Sequence, residues 1–155
     1  MHKFVKYGAY ATLALGLAAS GAIAQQVMHN DQTNPKSPFS SSVMVPAGYD
    51  TYYISGAAGR GDDTAAQTED ALTRLKAQMA KLDLTFGDIV QAHVFLAPDP
   101  KTGKMDFPGM NSSWFKFFGT ADQPNKPARA AFQVGALAGQ NALVEIEFIA
   151  VKKGH

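Results

Sequence analysis

Cysteine is absent from this sequence. Without a disulfide framework, stability must come from an ordinary apolar core or from association with other copies. A strong charge of either sign is also absent, because 14 Lys and Arg stand against 13 Asp and Glu. Basic residues are not clustered and do not alternate with aromatic ones, so the usual electrostatic means of holding nucleic acid is excluded.

A long hydrophobic run is missing as well. The apolar stretch Ala9–Ala19 is shorter than the roughly 20 residues that a membrane-spanning helix needs. Two lysines precede it, and the small-residue site Ala22-Ile23-Ala24 follows, an arrangement typical of a secretory signal peptide. We predict that residues 1–24 are a signal peptide cleaved after Ala24; the alternative is an uncleaved N-terminal helix. The mature protein is then expected to be periplasmic or secreted, with no membrane segment.

Removal of residues 1–24 would take away two lysines and no acid, so the formal charge would change from +1 to −1. The next stretch is polar and rich in Asn, Pro and Ser, which predicts a flexible leader over residues 25–37. One domain is predicted over residues 38–155.

The first half of this domain predicts two strands and a helix. Ser42–Pro46 and Thr51–Ser55 are expected to pair as a hairpin, because a turn separates two short β-forming runs. Thr64–Lys81 predicts a helix, with Thr64 and Gln67 in the positions of a capping box. The residues that fall three or four apart and predict its buried face are Leu72, Leu75, Met79 and Leu82.

The next segment predicts a strand, a long loop and a second helix. Ile89–Leu96 alternates as a strand, and His93 lies within it without a second ligand at metal-binding spacing. A histidine held by hydrogen bonds is therefore favoured over a metal ligand. The loop Ala97–Met110 precedes a predicted helix Asn111–Gly119, with Asn111 as N-cap. The aromatic residues of its predicted packing face are Trp114, Phe117 and Phe118.

The segment Pro124–Val151 predicts two closing strands joined by a glycine-rich loop. Arg129 lies on the first, and Glu145 and Glu147 lie on the second. An arginine near a carboxylate and backbone amides suits a small anionic substrate, although the two acids are equally consistent with solvated charges at a sheet edge. The predicted order is β-β-α-β-α-β-β, an α+β fold with two helices on one sheet face. The other face carries Tyr, Phe and Ile besides charges, so it is either hydrated or packed against another copy.

Six segments spread in order over Pro38–Lys152 resemble the RidA (YjgF) family of imine deaminases. They are YISG at 53–56, the QTxxAL helix start at 67–72, GDIVxxxVFL at 87–96, MNSSWFKFF at 110–118, PAR at 127–129 and LVEIEFIAV at 143–151. The resemblance implies a chorismate-mutase-like fold with a mixed sheet, in a homotrimer with active sites between subunits. It implies hydrolysis of 2-imino acids or their enamines to 2-oxo acids and ammonia, without a metal or other cofactor.

The resemblance also implies roles for particular residues. Arg129 matches the arginine that binds the substrate carboxylate, and Glu145 matches the glutamate that orients and activates water. The substrate-binding positions it implies are Ser55, Gly56, Asn111, Ala131 and Phe39.

The chain departs from the family pattern at a few positions. Phe39 stands roughly where the family has a lid tyrosine, Ala57 replaces a glutamine, and Ala130 and Ala131 replace a hydroxyl residue and a Cys or Val. These changes keep open the alternative of a non-catalytic trimer that binds small carboxylates or acts as a holdase. A third possibility is nuclease activity, which is attributed to relatives of this family and which the near-neutral charge disfavours.

Overall fold

The computed structural model describes residues 26–154, and the predicted signal peptide lies outside them. The strands are β1 (Met28–His29), β2 (Val43–Met44), β3 (Tyr49–Ala58), β4 (Ile89–Leu96), β5 (Ala128–Gln133) and β6 (Val144–Lys153), and the helices are α1 (Thr64–Ala80) and α2 (Phe107–Trp114). A 3₁₀ turn, Phe86–Asp88, leads into β4. Within this part of the chain, no helix has the length and apolar character needed to cross a membrane.

The main sheet has four strands in the order β3-β6-β4-β5. β6 pairs antiparallel with β3 and with β4, while β4 pairs parallel with β5. Both helices pack on one face and share a core with the inward side chains of the strands. The predicted α+β architecture, two helices on one face of a mixed sheet, is therefore confirmed.

α1 follows its predicted course except at its ends. Leu72, Leu75 and Met79 are fully buried, because they form one stripe on the helix. The N-cap is Asp63, whose carboxylate accepts a hydrogen bond from the N–H of Ala66, so the predicted capping box at Thr64 and Gln67 is wrong. The prediction that Leu82 lies on the buried face is also wrong. This residue is 45% exposed, because α1 ends at Ala80 and the stripe ends with it.

α2 begins and ends earlier than predicted, at Phe107 and Trp114 instead of Asn111 and Gly119. Asp106 caps it by accepting the N–H of Gly109, and Pro108 lies in the first turn, where its missing N–H removes no helical hydrogen bond. Asn111 is consequently inside the helix rather than its N-cap, which corrects the prediction. Trp114 and Phe118 are buried in the core as predicted.

The predicted hairpin at the start of the domain is wrong. β2 pairs with β1, not with β3, and β3 pairs with the last strand instead. The signal for a hairpin was local, whereas the observed partners come from distant parts of the chain. β5 and β6 do not pair either, because β4 lies between them.

Residues 26–42, here called the strap, pack along the beginning of β5. Trp114 Nε1 donates to the carbonyl of Pro38 (2.7 Å), and the backbone of Ser40 bridges to Ala128. The stretch predicted as a leader contains β1, and its residues His29 and Asn34 are hydrogen-bonded to Lys126 of the domain. A search for apolar periodicity could not find these contacts, because they are hydrogen bonds to backbone carbonyls.

Candidate functional site

Arg129 lies on the helix-covered face of the sheet, at the edge strand β5. Its Nη2 donates to Oδ1 of Asn111 (2.9 Å), and its Nη1 lies 3.6 Å from Sδ of Met110. Its Cζ is 4.6 Å from the ring centre of Trp114, 5.5 Å from that of Phe39 and 5.7 Å from that of Phe107. Each distance is within the range of a cation–π contact. These six residues form what we call the arginine pocket.

The charge of Arg129 has no protein counter-charge in this pocket. Among residues 26–154, no carboxylate lies within 4.0 Å of its guanidinium. Burial lowers the pKa of Arg129 from its ordinary value to about 10, because desolvation disfavours the charged form. The side chain is therefore still cationic at neutral pH. A half-buried cation with one amide partner is well suited to receive an anion from outside.

Glu145 lies on the opposite, outer face, next to β3. A Cβ placed on Gly56 would come within 2.5 Å of Oε1 of Glu145, so the carboxylate rests on a position that only glycine leaves open. Ser55 precedes this glycine and is exposed. The strand pairing shifts register between Ile54 and Ala57, so this contact lies at a β-bulge. We call Ser55, Gly56 and Glu145 the glutamate patch.

The sheet separates the two groups within one chain. Arg129 is beside Ala92, and Ala92 is beside Phe148, which faces the core. Glu145 is three residues before Phe148 on β6, and side chains alternate between faces, so it points away from the helices. Arg129 and Ser55 lie on opposite edge strands, about 14 Å apart across three strand spacings.

The remaining predicted site residues join the arginine pocket. Asn111 and Phe39 touch Arg129 directly. Ala131 is two residues further along β5, on the same face, and it packs against the core. Because β5 is an edge strand, alternate backbone groups near Ala131 point away from β4 and are open to a ligand.

Three residues of the pocket were missed as site residues by the sequence reasoning. Met110, Trp114 and Phe107 surround the guanidinium, but the sequence shows them only as apolar residues around a predicted helix start. Trp114 was predicted only as a core residue, whereas its indole packs in the core and also contacts the guanidinium of Arg129. Its proximity to Arg129 depends on the pairing of β4 with β5.

His93 lies at the centre of the outer face. Its Nδ1 is 2.9 Å from Oε1 of Glu147, and its Nε2 is 2.9 Å from Nε2 of Gln91. Both ring nitrogens thus have partners, as expected for a histidine held by hydrogen bonds. In the described part of the chain, no three His, Cys, Asp or Glu side chains are placed to share a metal ion.

The fold is shared with proteins of the YjgF type. The structure superposes on the YjgF gene product of E. coli with a TM-score of 0.57 and 30% identity, over 70% of this chain and 84% of that one. It also superposes on the Rid family protein YyfB of Yersinia pestis with a TM-score of 0.63, over 81% of this chain and 96% of that one. The latter identity, 24%, supports the fold alone.

Sequence comparison agrees with the structural likeness. A family model described as Endoribonuclease L-PSP matches residues 29–152. The chain is 34% identical over 139 residues to Protein DfrA of Myxococcus xanthus, covering 83% of this chain and 97% of that protein. It is 37% identical over 91 residues to a RutC family protein of Haemophilus influenzae, covering 59% of this chain and 65% of that protein, slightly under two thirds of its length. The chain belongs to the RidA/YjgF family.

Proposed function

We propose that the protein hydrolyses 2-imino acids and their enamine tautomers, such as 2-aminoacrylate and 2-iminopropanoate, to 2-oxo acids and ammonia. One observation carries the proposal: Arg129 is a half-buried cation without a carboxylate partner in residues 26–154. A planar guanidinium can hold a substrate carboxylate by two parallel charge-assisted hydrogen bonds. Asn111 fixes one end of the guanidinium, which leaves its other N–H groups for this purpose.

The reaction needs little beyond positioning and a base. Water adds to the electrophilic carbon of the C=N bond, giving a carbinolamine, which loses ammonia to leave the C=O of the 2-oxo acid. Glu145 is the proposed general base, accepting a proton from the attacking water. The Arg129 guanidinium fixes the substrate carboxylate, and therefore the imine carbon next to it, at one place. An enamine reacts after its carbon is protonated to the imine.

Glu145 of one chain cannot serve Arg129 of the same chain in this scheme, because the sheet lies between them. We therefore propose a homotrimer in which the arginine pocket of one copy faces the glutamate patch of the next. The exposed aromatic residues of the outer face support association. Tyr53 is 80% exposed and Phe132 41% exposed, although both lie on a sheet face beside apolar neighbours. The proposed site of action is the periplasm or the exterior of the cell, after cleavage at Ala24.

A second function, carboxylate binding without turnover, is supported by the same pocket. The guanidinium of Arg129 and its partner Asn111 could hold a small 2-oxo acid without a base. Phe39 also supplies no hydroxyl to the pocket. A holdase-type trimer would use the same surfaces.

A nuclease function is suggested only by names: the family model is described as an endoribonuclease, and a Thermotoga maritima relative is named as a putative endoribonuclease. The charge of −1 after signal removal gives it no support here.

The deciding experiment couples the protein to an amino-acid oxidase and measures how fast semicarbazide traps the imine that the oxidase produces. Wild type should lower the semicarbazone yield, and Arg129→Ala should not. Arg60→Ala is the matched control, because Arg60 is exposed and lies outside the arginine pocket. Equal yields with wild type and Arg129→Ala would contradict catalysis. Tight binding of 2-oxobutanoate without turnover would favour the binding function.

A further inference from the structure

Lys126 is a buried charged residue that the proposed reaction does not use. It is 3% exposed, and its Nζ donates to the carbonyl oxygens of Gln32 (3.0 Å) and Asn34 (2.8 Å). No carboxylate of the described ranges lies within 4.0 Å of it. A buried ammonium is stabilised only by its hydrogen bonds here, so simple filling of space does not explain this lysine.

The backbone of Lys126 binds the strap as well. Its N–H donates to Oε1 of Gln32 (2.7 Å), and its carbonyl oxygen accepts from Oγ of Ser40 (2.6 Å) and from Nδ1 of His29 (2.8 Å). All three polar groups of this residue are therefore directed at the strap. Residues 29, 32, 34 and 40 span most of the strap, and each of them meets Lys126.

The strap ends at the arginine pocket. Phe39 belongs to it, lies 5.5 Å from Cζ of Arg129 and is 37% exposed. The neighbours of Phe39 hold the strap there, through the carbonyl of Pro38 on Trp114 and the pairing of Ser40 with Ala128. The position of this wall thus depends on the contacts that bind the strap to the domain.

Gly119 lies directly beside the side chain of Lys126. Gly119 has a positive φ of +72°, and a Cβ at that position would lie 2.6 Å from Cε of Lys126. A residue with a side chain there would collide with the aliphatic part of the lysine. Glycine at this turn therefore leaves room for the end of the lysine side chain where it reaches Gln32 and Asn34.

We propose that Lys126 is a positioning residue: it fastens the strap so that Phe39 forms a fixed wall of the carboxylate pocket around Arg129. This inference rests on the proposed function, because it assigns the pocket to a substrate carboxylate. Lys126 touches no reacting atom and acts through Phe39. Loosening the strap should weaken substrate binding much more than it slows the bound reaction.

The experiment compares Lys126→Met with Lys36→Met in the full chain. Methionine keeps the length and apolar character of the lysine side chain, and Lys36 is an exposed lysine of the same strap. We expect Lys126→Met to raise KM for the imine, and Kd for 2-oxobutanoate by calorimetry, about tenfold, the order of one lost cation–π or packing contact. The value of kcat should stay within about threefold of wild type, as expected when uniform binding is lost. Lys36→Met should change neither constant.

Hydrogen exchange supplies a local measurement. The N–H groups of Asn30, Ser40 and Ser41 are bonded within the strap or to Pro127. In Lys126→Met they should exchange at least tenfold faster, while the amides of β4 and β6 keep their protection. A variant with lower thermal stability but unchanged KM and strap protection would assign Lys126 a purely structural role and overturn the proposal.

A double substitution tests whether Lys126 acts through Phe39. Phe39→Ala should raise KM by itself, and adding Lys126→Met should change it less than twofold further, because the two substitutions remove one wall. Independent, multiplying effects would contradict the proposal. Should the wild type show no imine hydrolysis, the proposed function fails. The 2-oxobutanoate and exchange measurements would then still decide whether Lys126 fastens the strap.

Discussion

On the helix-covered face, Arg129 lies in a pocket formed by α2, the strap and β5 of the same chain, whereas Glu145 lies on the outer face and is partly buried. The cation is held by Asn111 and by three aromatic rings. The carboxylate rests on Gly56, and further along the same face the ring of Tyr53 is 80% exposed. One chain thus surrounds the cation, the binding half, with side chains and places the carboxylate, the proton-accepting half, on a face with an exposed aromatic residue. This difference is understandable if binding is a property of the subunit and catalysis a property of the assembly.

Arg129→Ala should have the largest effect, because it removes the binding half. We expect kcat/KM for imine hydrolysis to fall about 10³-fold, since two charge-assisted hydrogen bonds are lost. Arg129→Lys should lose about 10²-fold, because an ammonium cannot reproduce the planar fork. Steady-state kinetics with a coupled oxidase measures both. Activity of Arg129→Lys close to wild type would show that only the charge matters.

Glu145→Gln should slow the reaction about 10²-fold while leaving 2-oxobutanoate affinity nearly unchanged, since it removes the base and not the carboxylate anchor. Calorimetry measures the affinity for 2-oxobutanoate, and steady-state kinetics measures the rate of hydrolysis. A large loss of affinity would contradict the division of roles between the two faces.

Mixing two inactive variants tests whether the halves come from different copies. In trimers refolded from equal amounts of Arg129→Ala and Glu145→Gln, about a quarter of the sites should combine an intact Arg129 with an intact Glu145, given a cyclic arrangement. About a quarter of wild-type activity should therefore return. Mixtures that stay as inactive as the separate variants would place both residues in one chain's site.

Tyr53→Asp should disturb the assembly and, through it, the reaction. A charge on the outer face should shift the mass measured by light scattering from trimer to monomer, because an interface aromatic contributes about 2 kcal/mol or more. Activity should fall with the trimer fraction, while the circular dichroism of the fold is kept. Leu82→Asp is the matched control, since Leu82 is also exposed but lies after α1. A wild type that is monomeric at assay concentration would contradict the intersubunit site.

The sequence predicted the parts of this molecule that follow from local periodicity. β4 was predicted with its observed ends, and α1 within one residue at its C-terminus, because alternation and a clear apolar stripe mark them. The hairpin failed, because strand partners are set by long-range packing that no local pattern records. Asn111 was predicted as a cap, yet Asp106 takes that place and leaves Asn111 to meet Arg129.

Within the candidate site, the family resemblance predicted which residues take part but not which of them lie close together. That Arg129 and Glu145 lie on opposite faces follows only from the observed register of β4, β5 and β6. Lys126 gave no signal at all in the sequence, because a lysine in a polar loop is ordinarily exposed. Its burial depends on a strap that had been predicted as a flexible leader.

The smallest expected effect concerns the stability of the binding half. Burial lowers the pKa of Arg129 to about 10, so folding disfavours its charged form. The penalty is fully present below about pH 10. It fades as the pH rises above about 10 toward the higher pKa of the unfolded arginine, because the folded arginine is then neutral and the unfolded one is still charged. Arg129→Met removes the penalty at pH 7, so its free energy of unfolding in urea should equal that of wild type or exceed it by about 1 kcal/mol.

The same shift predicts how binding depends on pH. The affinity of wild type for 2-oxobutanoate should decline as the pH rises through about 10, because the neutral arginine no longer attracts a carboxylate. Arg129→Met should bind no 2-oxobutanoate at any pH while remaining folded. A variant less stable than wild type by about 2 kcal/mol would mean that the aromatic contacts of the cation outweigh its desolvation. The arginine pocket would then be a structural element as much as an anion-binding site, and the contrast between the two faces would weaken accordingly.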